Sequence, residues 1–286
     1  ILEPPLSFLT LLFFLQFIQY IIYSIYYIMF NSDKCITSGK EKKNTCYDDK
    51  SLLLISNILN KQGYKININN DSKKIYSEIK KILSKIGTCK DEMCWLTMDS
   101  LIQNLSKKEL NKLKSNFKPP KPESWNKDND KWLTTEDIEK ILNRYMNVDN
   151  KFYSYGALPI DSFDKKICIN KLCDFNLKKH IDDKHEKIAI VYNTDEYGEP
   201  GQHWISLYID VTGENFKDPC IYFFDSYGDK PPSEINEFVQ NVMDQGINNG
   251  IDLKYTYNDK QHQMSGGECG IYCLHFITYM KDKGNF

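Results

Sequence analysis

Residues 117–125, FKPPKPESW, set Pro119, Pro120 and Pro122 almost side by side. Each proline lacks a backbone donor and pushes the residue before it out of helical conformation, so no helix or strand can run through this stretch. The chain must therefore be built as two units joined here. Before the break, residues 33–52 read as a polar, lysine-rich loop, and the segments that follow carry helical spacing. SLLLISNILNKQG ends on Gly63 as a C-cap. SKKIYSEIKKILSKIG puts Ile75, Ile79, Ile82, Leu83 and Ile86 on one face and closes on Gly87. CWLTMDSLIQNLSKKELNKLK predicts two more short helices. Residues 33–116 thus read as a helical accessory domain whose apolar stripes form its own core.

After the break the pattern changes. WLTTEDIEKILNRYM predicts a helix with Thr134 as N-cap and Asp137 three residues on, a carboxylate in capping-box position. ALPID is extended. KIAIVYN (187–193) and HWISLYID (203–210) have strand composition, and CIYFFDS (220–226) is apolar enough for a buried strand. SEINEFVQNVMDQGI predicts an amphipathic helix, DLKYTYN a strand, and a last helix follows Cys269. Residues 117–286 form one mixed domain, and the fold class is α+β.

A chain of 286 residues with 41% hydrophobic and 27% charged residues can bury a core in one large or two modest domains. The formal net charge of -2 gives no general attraction to nucleic acid or acidic lipid. Lysine, isoleucine, asparagine and tyrosine are heavily used, as in AT-rich coding, so isolated clusters of them carry little meaning. Nine cysteines, an odd number in a long chain, argue for reduced thiols in a cytosol-like compartment over a secreted disulfide scaffold. The uncharged run at residues 7–30 would span ~36 Å as a helix, enough for a bilayer. It lacks the basic flank and cleavage site of a signal peptide. Two readings of residues 1–32 stay open: translation upstream of a start at Met29, or a membrane anchor.

The stretch QHQMSGGECGIYCLHF, residues 261–276, places Cys269 at the first turn of a helix, where the dipole and free N–H groups favour a thiolate. Gly266 and Gly267 let a substrate backbone come close and the chain turn sharply. Cys273, one turn on, points deeper and reads as inert. A hairpin between the strands at 203–210 and 220–226, with partners summing to about 428, sets His203 beside Asp225. A carboxylate so placed fixes the imidazole tautomer and stabilises the imidazolium. The amide of Gln263 and the backbone N–H of Cys269 can donate to a developing oxyanion. His262 is a rival base without an evident carboxylate to orient it. Taken singly, each of these residues is as well explained by ordinary structure.

The order His, Asp, Gln, Cys, carried by HW, FFDSYG and QHQMSGGECGIYC, resembles the adenain and ubiquitin-like-protein protease superfamily of cysteine peptidases. WLTTEDIEKIL is similar to the helix that opens the catalytic domain of the SUMO-deconjugating proteases. The resemblance covers residues 117–286 and implies a mixed central sheet with the nucleophile at a helix N-terminus. It implies His203 as base, Asp225 as its orienter, Gln263 as oxyanion donor and Cys269 as nucleophile, with Trp204 and Trp132 shaping a channel for the scissile backbone. The helical N-terminal domain, WLTTEDI and GALPID bring the likeness closest to virion-maturation proteases of nucleocytoplasmic large DNA viruses. That likeness implies cleavage of structural polyproteins after small residues of the Gly-Gly kind, in a virion or the viral factory of the host cytoplasm. The short tail KDKGNF after the nucleophile helix departs from the pattern: the chain is truncated there, or lacks later elements. A deconjugase for SUMO- or ubiquitin-like modifiers and an acyltransferase with the same triad remain as alternatives. Outside a virus, the same sequence reads as intracellular, membrane-anchored if residues 7–30 span a bilayer.

Cys168, Cys173, His180 and His185 have a spacing too short for a standard zinc finger, so no metal and no cofactor is expected. KKELNKLK reads as a solvated helix face, and a DNA cofactor of the adenain kind finds no support in the net charge. The expected partner is a protein substrate, either a polyprotein or a ubiquitin-like conjugate.

Overall fold

The structure is a computed structural model describing residues 35–36, 45–87, 89, 91–120, 122, 132–214, 217–264 and 266–283. The apolar run at 7–30, most of the loop at 33–44 and Trp125 lie outside the described residues. Among the described residues no helix is long and apolar enough to cross a membrane. The chain divides into two compact units, residues 31–120 and 121–286.

The first unit is helical. It holds α1 (Asp49–Lys61), α2 (Ser72–Ile86), α3 (Glu92–Trp95), α4 (Asp99–Ile102) and α5 (Lys107–Ser115). Asp48, Asp71, Asp91 and Ser106 cap four of these helices with side-chain oxygens, each satisfying an otherwise orphaned N–H of a first turn. Ile75, Ile79 and Leu83 of α2 are buried, while Ile86 at the helix end is exposed, because the stripe turns outward in its last turn. Tyr47, Trp95 and Phe117 pack as an aromatic group at the centre of this unit. Three helices, not two, occupy residues 92–115, since the segment breaks again after Leu96.

The second unit is α+β. α6 (Thr135–Val148) begins in a reciprocal capping box between Thr134 and Asp137. It leads into β1 (Phe152–Pro159), followed by a 3₁₀ turn (Ile169–Asp174) and the short α7 (Leu177–Asp182). Then come β2 (Lys187–Asn193), β3 (Trp204–Asp210), β4 (Cys220–Phe224), α8 (Ser233–Asn248), β5 (Lys254–Tyr257) and α9 (Cys269–Lys283). The sheet order is β1-β2-β3-β4-β5, with β3 antiparallel to both neighbours and the outer pairs parallel. β3 is buried along its whole length, as its apolar sequence requires in a sheet covered on both faces. One face packs on α8 through Ile221, Phe223, Phe238 and Val242. α9 contacts β3 on the opposite side and is apolar nearly all round, which is why it lacks a clean amphipathic pattern.

The far end of α9 is fixed by charge. Lys281, 2% exposed, pairs with Asp149 at 3.1 Å and with Asp282 at 3.2 Å, while Lys187 donates to the Lys281 carbonyl at 3.1 Å. Asp149 is the C-cap of α6, so this ion pair links the ends of α6 and α9.

The expectation of reduced thiols is corrected for six cysteines. Cys35–Cys46, Cys89–Cys94 and Cys168–Cys173 are disulfides. The four intervening residues of the last two pairs bring the Cα atoms to 5.4 and 5.0 Å, inside the range a disulfide spans. An odd cysteine count thus conceals three bridges plus three free thiols, Cys220, Cys269 and Cys273.

Two outcomes follow. Alkylation of the unfolded, unreduced protein should label three cysteines per chain and, after reduction, nine; mass spectrometry reads both counts. Lys281→Ala should lower the unfolding free energy in urea by about 2 kcal/mol, because it removes the buried partner of half-buried Asp149, and Lys281→Met should lose less by keeping the packed stem.

Candidate active site

β3 runs opposite to β2 and β4, so its beginning and their ends share one edge of the sheet. His203 precedes β3 and Asp225 follows β4. Partners in this hairpin sum to 430, as in Ser206 with Phe224, two more than the sequence suggested. An even shift keeps every side chain on its own face, and the ladder ends before His203, so the two side chains still meet. His203 Nε2 donates to Asp225 Oδ1 at 2.8 Å. Asp225 is only 4% exposed. The carbonyl of His203 accepts from the N–H of Thr194 at 2.9 Å, which ties the loop after β2 to this corner.

The fixing of Asp225 depends on a residue that the sequence reading passed over. Asn258, just past β5, accepts from the Asp225 N–H at 2.9 Å and donates to its carbonyl at 2.7 Å. Its side chain also donates to the carbonyl of Lys260 at 3.0 Å. A single amide thus takes the place of a further rung of the sheet. The only clue in the sequence was its place at the end of DLKYTYN.

Gln263 is held against the turn after β4. Its N–H and that of His262 donate to the Ser226 carbonyl at 2.9 and 2.8 Å, and the Ser226 hydroxyl donates to Gln263 Oε1 at 2.7 Å. This close approach needs Gly228. Its φ is +79°, and a Cβ there would lie 2.7 Å from the carbonyl carbon of Lys260. His262 turns its ring onto Phe224, with centroids 5.6 Å apart, and burial, then Lys260, hold its pKa below the ordinary histidine value. The histidine that pairs with a carboxylate is His203.

Cys269 is the first residue of α9 and is 1% exposed. The Tyr272 hydroxyl donates to the His262 carbonyl at 3.1 Å, tying the first turn of α9 to the loop that carries Gln263. Gly270 is required by packing: a Cβ there would lie 3.2 Å from both Leu133 Cβ and Trp204 Cδ1. Trp204 Nε1 in turn donates to the Leu133 carbonyl at 3.0 Å. Cys273 is fully buried, donates to the Trp204 carbonyl at 3.2 Å, and has its thiol pKa raised well above normal by burial.

Cys269 lies near enough to the His203 ring to favour its charged form, after Asp225. Burial disfavours a charged imidazole, but the hydrogen bonds and charges of Asp225 and Cys269 outweigh it, and the His203 pKa is pushed up to about 9. Asp225 engages Nε2, so the carboxylate does not occupy Nδ1.

A cleft of about 630 Å³ has walls that include Trp132, Leu133, Glu139, Asp195, Tyr197 and Trp204; it adjoins the candidate group through Trp204, next to His203, while His203, Asp225, Gln263 and Cys269 do not line it. Both tryptophans singled out in the sequence therefore face one cavity. Gly266 and Gly267 sit instead on the loop before Cys269, outside the cleft wall. The Cys168, Cys173, His180, His185 set is not a ligand cluster. The cysteines are bonded to each other, while His180 lies 2.9 Å from the Tyr155 hydroxyl and 3.0 Å from His185.

A sheet edge carrying His and Asp, faced by a cysteine at a helix N-terminus, defines a cysteine peptidase of the adenain and ubiquitin-like-protein protease superfamily, and the comparisons agree. The family model described as YopJ Serine/Threonine acetyltransferase matches residues 107–285, and the chain belongs to that family, which falls in the same superfamily. A protein of Acanthamoeba polyphaga mimivirus described as a thiol protease is 29% identical over 216 residues, covering 75% of this chain and 68% of that one. A cysteine protease of African swine fever virus is 26% identical over 231 residues, covering 75% and 82%. The crystal structure of the African swine fever virus protease superposes with a TM-score of 0.54 at 24% identity, covering 76% of this chain and 84% of that one, which establishes the shared fold. The chain is a cysteine peptidase, and these sequence relatives are viral proteins.

Because the raised pKa keeps His203 charged up to about pH 9, kcat/KM should fall on the basic side near pH 9. Asp225→Asn removes a group that raises this pKa, so the basic limb should move to lower pH; a pH–rate profile of both proteins checks the sign.

Proposed function

We propose that the chain is an endopeptidase that cuts backbone amides after small residues of the Gly-Gly kind, processing viral structural polyproteins during virion maturation. Cys269 is the nucleophile, His203 the base, Asp225 its orienter and Gln263 the oxyanion donor. The observation that carries this reading is the 2.8 Å bond between His203 and Asp225, on an imidazole whose charged form Cys269 also favours.

The Cys269 thiolate attacks the scissile carbonyl carbon, and the carbonyl oxygen gains the negative charge. The Gln263 amide and the backbone N–H of Cys269 donate to that oxygen. The C–N bond breaks as His203 gives its proton to the leaving amine, and a thioester remains. Water then attacks the thioester, losing its proton to His203, and the acid product leaves as the thiolate re-forms. Trp204 and Trp132 line the channel, and the close packing around Gly270 and Trp204 favours a narrow substrate backbone beside the sulfur. Gly266 and Gly267 leave room on the other side of the nucleophile. Residues 33–116 serve as an accessory domain that holds substrate or partner.

Two observations favour other acyl acceptors or substrates. The matched family is described as an acetyltransferase, and one African swine fever virus relative is described as a SUMO-1 cysteine protease. All three chemistries share the thioester and differ in what enters and what receives the acyl group. The protein should therefore be incubated with a Gly-Gly-X peptide series, a SUMO conjugate, and acetyl-CoA with a serine/threonine peptide. The peptide series should be cut, Cys269→Ala should abolish cutting, and Gln263→Ala should lower kcat by ~10²–10³. Acetyl transfer without hydrolysis would overturn the reading.

A further inference from the structure

Tyr227, in the turn after β4, touches three of the four candidate catalytic residues, and nothing in the reaction scheme above uses it. Its ring stacks on His203 with centroids 4.8 Å apart and an interplanar angle of 28°. Its backbone N–H donates to Asp225 Oδ1 at 2.8 Å, the same oxygen that receives the His203 proton. Its hydroxyl accepts from Gln263 Nε2 at 3.3 Å. The bond from the Gly228 N–H to the Asp225 carbonyl, at 3.0 Å, closes the turn and folds Tyr227 back over the strand end.

The cost of this placement is visible. Tyr227 is 38% exposed, an aromatic ring in a surface turn whose usual occupants are polar. Its ring covers one face of an imidazole whose side chain is only 15% exposed. An aromatic face attracts a cation, and the attraction grows as water is excluded. Asp225 from the end of β4 and Cys269 from α9 act on the same imidazole, and Cys269, Glu268 and Asp225 also raise the Tyr227 hydroxyl pKa, after burial. The phenol therefore stays protonated and neutral beside the imidazolium.

Resting on the peptidase reading above, we infer that Tyr227 is a positioning residue: its ring steadies the His203 imidazolium, and its hydroxyl orients the Gln263 amide toward the oxyanion. Ser226 holds Oε1 of that amide and the Tyr227 hydroxyl takes an N–H from Nε2, so the amide plane is fixed at both of its ends. The two contributions are separable, because phenylalanine keeps the ring and loses only the hydroxyl.

The test uses Tyr227→Phe and Tyr227→Leu in the full chain, read in two ways. The first is the pH dependence of Cys269 alkylation by iodoacetamide, located by mass spectrometry with Cys269→Ala as blank, which needs no substrate. The second is kcat and KM on a cleaved peptide. Tyr227→Phe should keep the wild-type alkylation profile and lower kcat about three- to thirtyfold with little change in KM. Tyr227→Leu should lower kcat further and move the basic limb of alkylation down by up to about one pH unit. A Leu profile identical to wild type overturns the ring's role, and an unchanged kcat in Tyr227→Phe overturns the hydroxyl's. If Tyr227→Leu does not fold, the Phe variant still decides the hydroxyl, and Tyr227→Met replaces Leu for the ring. If no peptide, conjugate or acetyl donor is turned over by wild type, the functional reading fails, while the alkylation profiles still decide the ring.

Discussion

The antiparallel setting of β3 between β2 and β4 is the constraint from which the site follows. A strand bonded along both edges and buried on both faces has no freedom of register. Reversing its direction relative to its neighbours brings one beginning and two ends to a common rim. His203 and Asp225 sit at that rim by topology, and their hydrogen bond completes what the sheet begins. β5, parallel to β4, delivers Asn258 to the same rim. α9 lies against β3, so its first residue is carried to the histidine by packing and not by a flexible loop. Three of the four groups thus stand at the ends of rigid elements, and Gln263 is tied to them by its bonds to Ser226.

Much of this was written in local patterns. The strands at 187–193, 204–210 and 220–224 are short, apolar and bounded by turn residues. Thr134 and Asp137 announce the start of α6 by a mechanism confined to four residues. The face shared by His203 and Asp225 was legible because parity survives a slip of two. What was hidden depends on distance in the chain. Asn258 reaches Asp225 across 33 residues and Ser226 reaches Gln263 across 37, and no periodicity records such bonds. α7 and the 3₁₀ turn at Ile169–Asp174 are too short for a periodic signal to rise above chance. The bridges escaped notice because cysteine counting speaks of compartments, whereas proximity is decided by the turns between the sulfurs.

The family match and the viral relatives meet in one piece of chemistry. A thioester formed at a helix N-terminus can be resolved by water or by a hydroxyl, and the same histidine serves either. What separates a peptidase from a transferase is therefore the shape of the cleft that admits the first substrate and the access of the second. In this chain two tryptophans, Trp132 and Trp204, wall the cleft that adjoins the sheet edge.

The cysteine inventory has a consequence for how the enzyme meets oxidants. Three bridges and three free thiols, Cys269 among them, occupy one chain. A sulfur poised to react with a carbonyl is equally attractive to peroxide, and sulfenic acid would end its service. A thiol such as glutathione can reverse a sulfenic acid while leaving structural bridges intact. With Cys269 at 1% exposure, even a small oxidant reaches its sulfur only where the surrounding side chains open, and burial itself slows that damage.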